Sequence, residues 1–273
     1  MKTLNAPVAL CLLLLAALPS RGNDSGPDPW SILPVQEGAT LRGPHPEDDS
    51  VRWRPVLRQA ALLFGISQGF RLATQAETRA SLRGPYFKDY IQSLKGLGGW
   101  GDDDPAIGNY VAHPMQGSVC TWILVHSDPK GAPLEFEMNG AYWRSRLKGL
   151  GFSAAYSTFY EIGPLGDAAV GNLGMNPDYK GMVDIVITPT VGLAWHLTED
   201  MLDRYFIRWL EQRTANPFVN ALTRTWLNPT RSFANVLRFR RPWARETRPG
   251  VFRIRDLHHQ QRTGPGLNGI ATP

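Results

Sequence analysis

The densest group of polar side chains in the sequence lies between residues 102 and 114. Three aspartates, Asp102 to Asp104, precede Asn109, His113 and Pro114. If a helix runs through this segment, Asn109 and His113 lie four residues apart on one face, which can orient an imidazole for proton transfer. Pro114 disfavours helical geometry at His113, so His113 could instead mark a helix start. The plainer interpretation is a capping and turn cluster.

A second possible site contains a hydroxyl and a carboxylate. Ser157 and Glu161 are four residues apart, ahead of a helix break at Gly163 and Pro164. Together with His113 they could supply the nucleophile, the base and the orienting carboxylate of a hydrolase. The two segments are far apart in sequence, and the Gly-x-Ser-x-Gly turn of many hydrolases is absent. The triad is therefore a hypothesis without a supporting motif.

An acidic residue also stands inside an apolar run. Asp184 lies between Val183 and Ile187. In lipid such a group needs a partner or a polar cavity, which makes it a candidate for catalysis. The interpretation that we favour is a buried ion pair with an arginine such as Arg144 or Arg146.

Four further polar residues fall on neighbouring helical turns: His196, Glu199, Asp200 and Asp203. They could hold a divalent ion, but the His-Glu-x-x-His spacing of zinc enzymes is absent. A solvated charged face, with Asp200 paired to Arg204 one turn later, is the favoured interpretation. We therefore predict no metal site, and no sequence motif identifies a cofactor.

The N-terminal sequence predicts that the protein is exported. Lys2, the short apolar run Val8 to Leu18 and the small residues Ser20 and Gly22 have the order of a secretory signal peptide over residues 1–22. Cleavage there would leave Cys120 as the sole cysteine. A proline-rich linker is predicted for 23–50. The expected location is the periplasm or cell envelope, in association with a membrane.

Basic residues concentrate at the other end. The chain has 29 basic and 24 acidic residues, and ten arginines lie between Arg224 and Arg262. Residues 214–273 thus form a basic segment that would indicate nucleic-acid binding in the cytoplasm. Behind a signal peptide, the predicted partner is membrane lipid or an acidic envelope polymer, and no nucleic acid. The alternative is a solvated tail. The predicted binding residues are Asn109, Glu199, Asp203, Arg231 and Arg238.

The spacing of apolar residues predicts a mainly α fold. We expect a glycine-rich, membrane-associated helical bundle over residues 51–213, with irregular segments before and after it. Gly65 and Gly69 have the spacing that lets two helices approach closely. No segment is long and apolar enough for a conventional membrane span. Helices are expected over residues 53–78, 85–94, 109–126, 141–161, 182–213 with a break at Pro189, and 216–238 with an interruption at Pro229.

Several strings together resemble a group of uncharacterised bacterial envelope proteins. They are Asn109-Tyr-Val-Ala-His113-Pro-Met-Gln-Gly117, Tyr142-Trp-Arg-Ser-Arg146, Tyr156-Ser-Thr-Phe-Tyr-Glu161-Ile-Gly-Pro164, Asp184-Ile-Val-Ile-Thr-Pro189 and Asn228-Pro-Thr-Arg-Ser-Phe-Ala-Asn235. The similarity covers roughly residues 100 to 248. It implies an envelope location and a polar site, without an established reaction.

Two functional hypotheses follow. The first is an exported, membrane-associated helical protein with a structural or lipid-interacting role. The alternative is an envelope hydrolase or lipid-modifying enzyme that uses His113 with Glu161 or Asp184, with the loop from Asp102 to Asp104 near its mouth. The oligomeric state cannot be predicted.

Overall fold

The computed structural model describes residues 50–101, 106–175 and 181–252. The predicted signal peptide, nearly all of the predicted linker and the aspartates Asp102 to Asp104 lie outside the described residues. Within these three ranges all regular structure is helical and there is no strand. The prediction of a mainly α fold is confirmed.

The helices follow the predicted order. They are α1 (Trp53–Thr74), α2 (Ala76–Ser81), α3 (Tyr86–Gly96), α4 (His113–Ser127), α5 (Gly140–Ile162), α6 (Asp167–Val170), α7 (Met182–Met201), α8 (Arg208–Glu211), α9 (Pro217–Trp226) and α10 (Pro229–Leu237). A π-helical turn, Gly108–Ala112, runs directly into α4, and another, Leu202–Ile207, joins α7 to α8. A short 3₁₀ turn spans Leu173–Met175.

Helix α4 is the centre of the bundle. It contacts α1, α5, α7 and α10, and the residues from Gly117 to Ser127 are all buried. A helix that is apolar on all sides can be buried on all sides. The core contains Val119, Ile123 and Leu124 from α4, and it also contains Phe233 and Leu237 from α10. The first part of the predicted basic segment therefore folds onto the bundle.

Glycines allow the central helices to approach closely. A methyl group at Gly117 would overlap the carbonyl of Thr188 on α7, and one at Gly149 would overlap Thr121 on α4. The prediction that Gly65 and Gly69 mark a close contact is wrong, since nothing lies within 4 Å of a methyl group at either position. Four-residue spacing does not reveal which face of a helix is packed.

Proline has different effects in two helices. The predicted break at Pro189 is wrong, because α7 is continuous from Met182 to Met201. Helix α7 contacts both α4 and α5, and this packing offsets the missing amide donor of Pro189. The interruption at Pro229 is confirmed, with Pro229 in the first turn of α10. Among the described helices none is both long and apolar enough to cross a bilayer.

Candidate functional site

Three ionisable side chains from three helices meet at one end of the bundle. His113 begins α4, Glu161 lies in the last turn of α5, and Asp184 lies in the first turn of α7. One nitrogen or oxygen atom of each lies within 4.8 Å of the others. The His113 Nε2 atom is 3.4 Å from Asp184 Oδ2. We call these three residues the His113 cluster.

The position of His113 depends on the π-helical turn before it. His113 has helical φ and ψ of −65° and −44°, so the helix continues through this residue. His113 is the first residue of the α-helix, as the alternative expected, but Pro114 does not prevent helical geometry at His113, because the turn Gly108–Ala112 leads directly into α4. Asn109 lies one turn before His113 and is buried. Single π turns within helices are frequent at functional sites.

A glycine and a loop define the start of α7. Gly181 has a φ of 68°, in the left-handed region that glycine adopts without strain. Its amide donates to the carbonyl of Gly101 at 2.8 Å, and the Met182 amide donates to Gly99 at 3.1 Å. These bonds hold the loop beside the first turn of α7, close to Asp184. The predicted position of Asp102 to Asp104 at the mouth of the site remains a prediction.

Ser157 connects two of the helices that form the cluster. Its hydroxyl is buried and donates to the backbone carbonyl of Asp184 at 2.9 Å. This bond fixes the last turns of α5 against the start of α7, one turn before Glu161. Ser157 is therefore a positioning residue for both carboxylates.

The predicted pairing of Asp184 with Arg144 or Arg146 is wrong. Arg146 binds Asp200 instead, and Arg144 is exposed and donates to the carbonyl of Gly140. Asp184 lies beside His113 because its end of α7 is beside the start of α4. The arginines of α5 lie near the opposite end of that helix.

The His113 cluster is almost enclosed. Glu161 is 2% exposed, Asp184 is 3% exposed and the His113 side chain is 11% exposed. Two carboxylates so close together repel each other in a site of low dielectric constant. A positive charge beside two such carboxylates offsets this repulsion.

A second buried group surrounds Asp200, and we call it the Arg146–Asp200 cluster. Asp200 Oδ2 accepts from Arg146 Nη2 at 2.8 Å and from Tyr142 Oη at 2.8 Å. Burial raises the pKa of Asp200, but Arg146 and His196 more than offset this and hold the pKa well below its usual range. The predicted solvated face is wrong, because His196, Glu199, Asp200 and Asp203 are all buried. The predicted Asp200–Arg204 pair is also wrong, since Arg204 binds Glu135.

Glu199 and Asp203 lie away from the His113 cluster. Glu199 follows Asp184 by fifteen residues, roughly 22 Å along a helix. It accepts the backbone amides of Thr230 at 2.9 Å and Arg231 at 3.1 Å, and so caps the start of α10. Asp203 binds Arg245 at 2.9 Å and Arg231 at 3.4 Å. Glu199 thus attaches α10 to α7, and Asp203 attaches α10 and the segment after it to the π-helical turn Leu202–Ile207.

The two predicted binding arginines are bound within the fold. Arg231 pairs with Asp203, and Arg238 pairs with Glu246. Arg240 also lies 3.8 Å from Glu246, but its side chain is 60% exposed at the surface. Contact of the basic segment with lipid or an acidic polymer stays a prediction. Such contact would have to use exposed arginines such as Arg240.

Trp122 is a buried residue that the sequence analysis did not select. Its ring centre is 4.4 Å from the Arg231 guanidinium carbon and 4.1 Å from the His196 ring centre. The His126 ring is stacked on it at 5.0 Å. The Trp122 ring therefore contacts one guanidinium and two imidazoles in the interior. No spacing in the sequence identifies such a contact between distant segments.

Burial of His126 predicts a loss of stability in mild acid. Burial, together with Arg238 and Arg231, holds the pKa of His126 well below its usual value. The unfolded chain binds a proton near pH 6.5 and the native protein does not, so the free energy of unfolding falls as the pH drops below about 6.5. We expect a loss of about 1 kcal/mol from His126 between pH 7.5 and 5.5 in urea denaturation.

His126→Phe provides the control for this result. Phenylalanine preserves the stacking on Trp122 and cannot take up a proton. The variant should therefore lose less stability than the wild type over the same pH range. Equal losses in both proteins would show that His126 does not carry the effect.

Comparison of the chain with protein-family models, curated proteins and solved structures found no match. The resemblance to bacterial envelope proteins therefore stays a prediction from the quoted motifs. The functional assignment rests on the arrangement of His113, Glu161 and Asp184.

Proposed function

We propose that the protein hydrolyses an ester bond of a lipid-linked substrate in the cell envelope, with the His113 cluster as its reaction centre. The observation that carries this proposal is the convergence of His113, Glu161 and Asp184 from three separate helices within 4.8 Å. Buried ionisable groups that meet without belonging to one helix are candidates for acid–base catalysis.

The chemistry assigns complementary roles to the three side chains. Glu161 accepts a proton from a water molecule, whose oxygen forms a bond to the ester carbonyl carbon. The ester carbon–oxygen bond then breaks, and the His113 imidazolium donates its proton to the leaving alkoxide. Asp184, 3.4 Å from His113 Nε2, stabilises the imidazolium. Transfer of the proton from Glu161 to His113 restores the site, and the products are a carboxylic acid and an alcohol.

Water is favoured over Ser157 as the nucleophile. The Ser157 hydroxyl donates to the Asp184 carbonyl at 2.9 Å, so its proton already has a backbone acceptor. A serine nucleophile is activated by donating to a base such as histidine. Ser157 instead supports the cluster through α7.

The outer surface of α7 favours a lipid-linked substrate. The four ionisable residues of α7 are buried, and every residue of this helix that retains surface is uncharged. Met182 and Val186, on either side of Asp184, are 37% and 42% exposed. At the level of the site, the helix therefore buries its carboxylate and turns apolar groups outward.

Glu161→Gln tests the catalytic role. Removing the carboxylate while keeping the side-chain shape should lower hydrolysis at least about a hundredfold, as expected for loss of a general base. The assay measures fatty acid released from mixed envelope phospholipids by mass spectrometry. Glu137→Gln changes the same residue type at an exposed position and should leave the rate unchanged. Equal rates for the wild type and Glu161→Gln would refute the role, provided that circular dichroism shows both to be folded.

Membrane association is the second candidate function, and the uncharged surface of α7 favours it. The helix has 20 residues, so this uncharged surface is about 30 Å long. Beyond its end, Tyr205, Phe206 and Trp209 are exposed beside Arg204. Aromatic and basic side chains in such positions are typical of a membrane interface.

Ala194→Asp tests this membrane face. Ala194 is exposed near the middle of α7, and a carboxylate in lipid costs about 3 kcal/mol. We expect the wild type to float with phosphatidylglycerol-containing vesicles in high salt, and Ala194→Asp to bind at least about tenfold less. Met138→Asp adds the same charge in the exposed loop before α5 and should bind as the wild type does. Wild-type protein that does not float would contradict the proposal.

A further inference from the structure

We infer that the His113 cluster binds one divalent transition-metal ion, such as Zn²⁺, through an imidazole nitrogen of His113 and one carboxylate oxygen each of Glu161 and Asp184. This inference rests on the same site as the proposed hydrolase. It goes further because it names the ion that the site would hold. With the ion bound, His113 would be a neutral ligand and the metal would activate the attacking water, in place of the imidazolium acid and the free Glu161 base. It also replaces the sequence-based expectation that the protein has no metal site.

The separations fit an ion better than they fit a direct hydrogen bond. Zinc ligands lie about 2.1 Å from the ion, so two ligands of a tetrahedral site are about 3.4 Å apart. His113 Nε2 and Asp184 Oδ2 are 3.4 Å apart, whereas N–H···O hydrogen bonds are usually about 2.7 to 3.2 Å long. All the separations are within 4.8 Å. Side-chain movements of about 1 Å would complete the coordination.

Charge balance favours a divalent cation. Glu161 and Asp184 are 2% and 3% exposed, and both carboxylates are near each other. Two carboxylates held close together in a nearly dry site attract a cation. The charge of a divalent ion matches that of the two carboxylates. The partial exposure of the His113 side chain, 11%, gives the ion a path from solvent.

The ligand types, and the hydrogen bond that holds one ligand in place, are typical of a catalytic rather than a structural metal site. One imidazole and two carboxylates are suitable ligands for zinc or manganese. Three protein ligands leave a coordination position open for water, and a metal-bound water loses a proton more readily. Ser157 holds the backbone of Asp184, which supports the orientation of that ligand.

The Arg146–Asp200 cluster shows by contrast why the His113 cluster is the better metal site. His196 Nε2 is also 3.4 Å from an aspartate, Asp200 Oδ2. There, however, Arg146 donates twice to that carboxylate oxygen, at 2.8 and 3.0 Å. The guanidinium occupies the carboxylate oxygen that an ion would need. Among the described residues, three such ligands meet in the His113 cluster and not around Asp200.

The test measures metal binding to the purified protein after treatment with a chelator. Calorimetry with Zn²⁺ and the visible absorption of Co²⁺ should both show one ion per chain. Asp184→Asn and Glu161→Gln should each lower the affinity by more than about a hundredfold, because even second-shell changes cost 10- to 100-fold. Glu137→Gln, and a variant with His258→Ala and His259→Ala, should bind as the wild type does. If either ligand variant fails to fold, His113→Gln takes its place.

Two results would overturn the inference: no binding at micromolar metal, or binding that the ligand variants leave unchanged. Failure of the hydrolase proposal is distinguishable, because the readout is binding and not turnover. One bound ion without ester hydrolysis would remove the proposed reaction and keep the metal site. Full hydrolysis by chelator-treated protein that binds no ion would remove the metal site and keep the reaction.

Discussion

Arg146→Met is expected to lower the free energy of unfolding by about 3 to 5 kcal/mol, which is the cost of breaking a buried ion pair by removing one partner. Arg146 is fully buried and donates to Asp200 Oδ2 at 2.8 and 3.0 Å. It also donates to the carbonyl of Leu134 at 3.0 Å. Its removal leaves the Asp200 carboxylate inside the protein without its main source of positive charge.

The matched control is Arg144→Met. Arg144 lies two residues earlier on the same helix but is exposed, so its replacement should change stability by less than about 0.5 kcal/mol. Both variants and the wild type are compared by urea denaturation. Similar losses in the two variants, or no loss in Arg146→Met, would show that the Arg146–Asp200 cluster does not hold α5 to α7.

Gly117→Ala is expected to destabilise the protein by about 3 kcal/mol or to prevent folding, since overpacking a close contact costs this much. The added methyl group would overlap the Thr188 carbonyl, a backbone atom of α7. A backbone atom cannot rotate away as the end of a side chain can. Helices α4 and α7 would therefore have to separate next to the His113 cluster.

Gly65→Ala is the control for Gly117→Ala. Nothing lies within 4 Å of a methyl group at Gly65, which is in the middle of α1. Alanine should therefore stabilise this helix by about 0.5 to 1 kcal/mol. Thermal unfolding of both variants checks the contrast. A Gly117→Ala protein as stable as the wild type would refute the close approach of α4 and α7.

The helices could be predicted from local patterns because amphipathic spacing is a local property. The expected helix over 141–161 agrees with α5, Gly140–Ile162. Pro189 is an exception, because contacts of α7 with two neighbours outweigh the local preference of proline. Gly65 and Gly69 are another, because the packed face of a helix depends on distant residues.

The candidate site could be predicted in part. His113, Glu161, Ser157 and Asp184 were selected by residue type, and the fold brings all four together. Their roles could not be predicted, since the partner of a buried charge is set by tertiary contacts. Arg146 and Asp200 are 54 positions apart. No local rule distinguishes that pairing from the expected pairing of Arg146 with Asp184.

Export, envelope location and membrane association depend on the N-terminal pattern and on the uncharged surface of α7. The His113 cluster does not depend on them. A hydrolase with this site could be active wherever the protein is located, so the catalytic claim can be tested by itself.

The most direct test of that claim is a double-mutant cycle on hydrolysis of envelope phospholipids. It compares the wild type with Glu161→Gln, Asp184→Asn and the variant that combines them. Groups that act as one unit show strongly non-additive losses. We predict that the double variant is no slower than the slower single variant. Losses that multiply in the double variant, or a wild type without turnover, would contradict a single reaction centre at His113, Glu161 and Asp184.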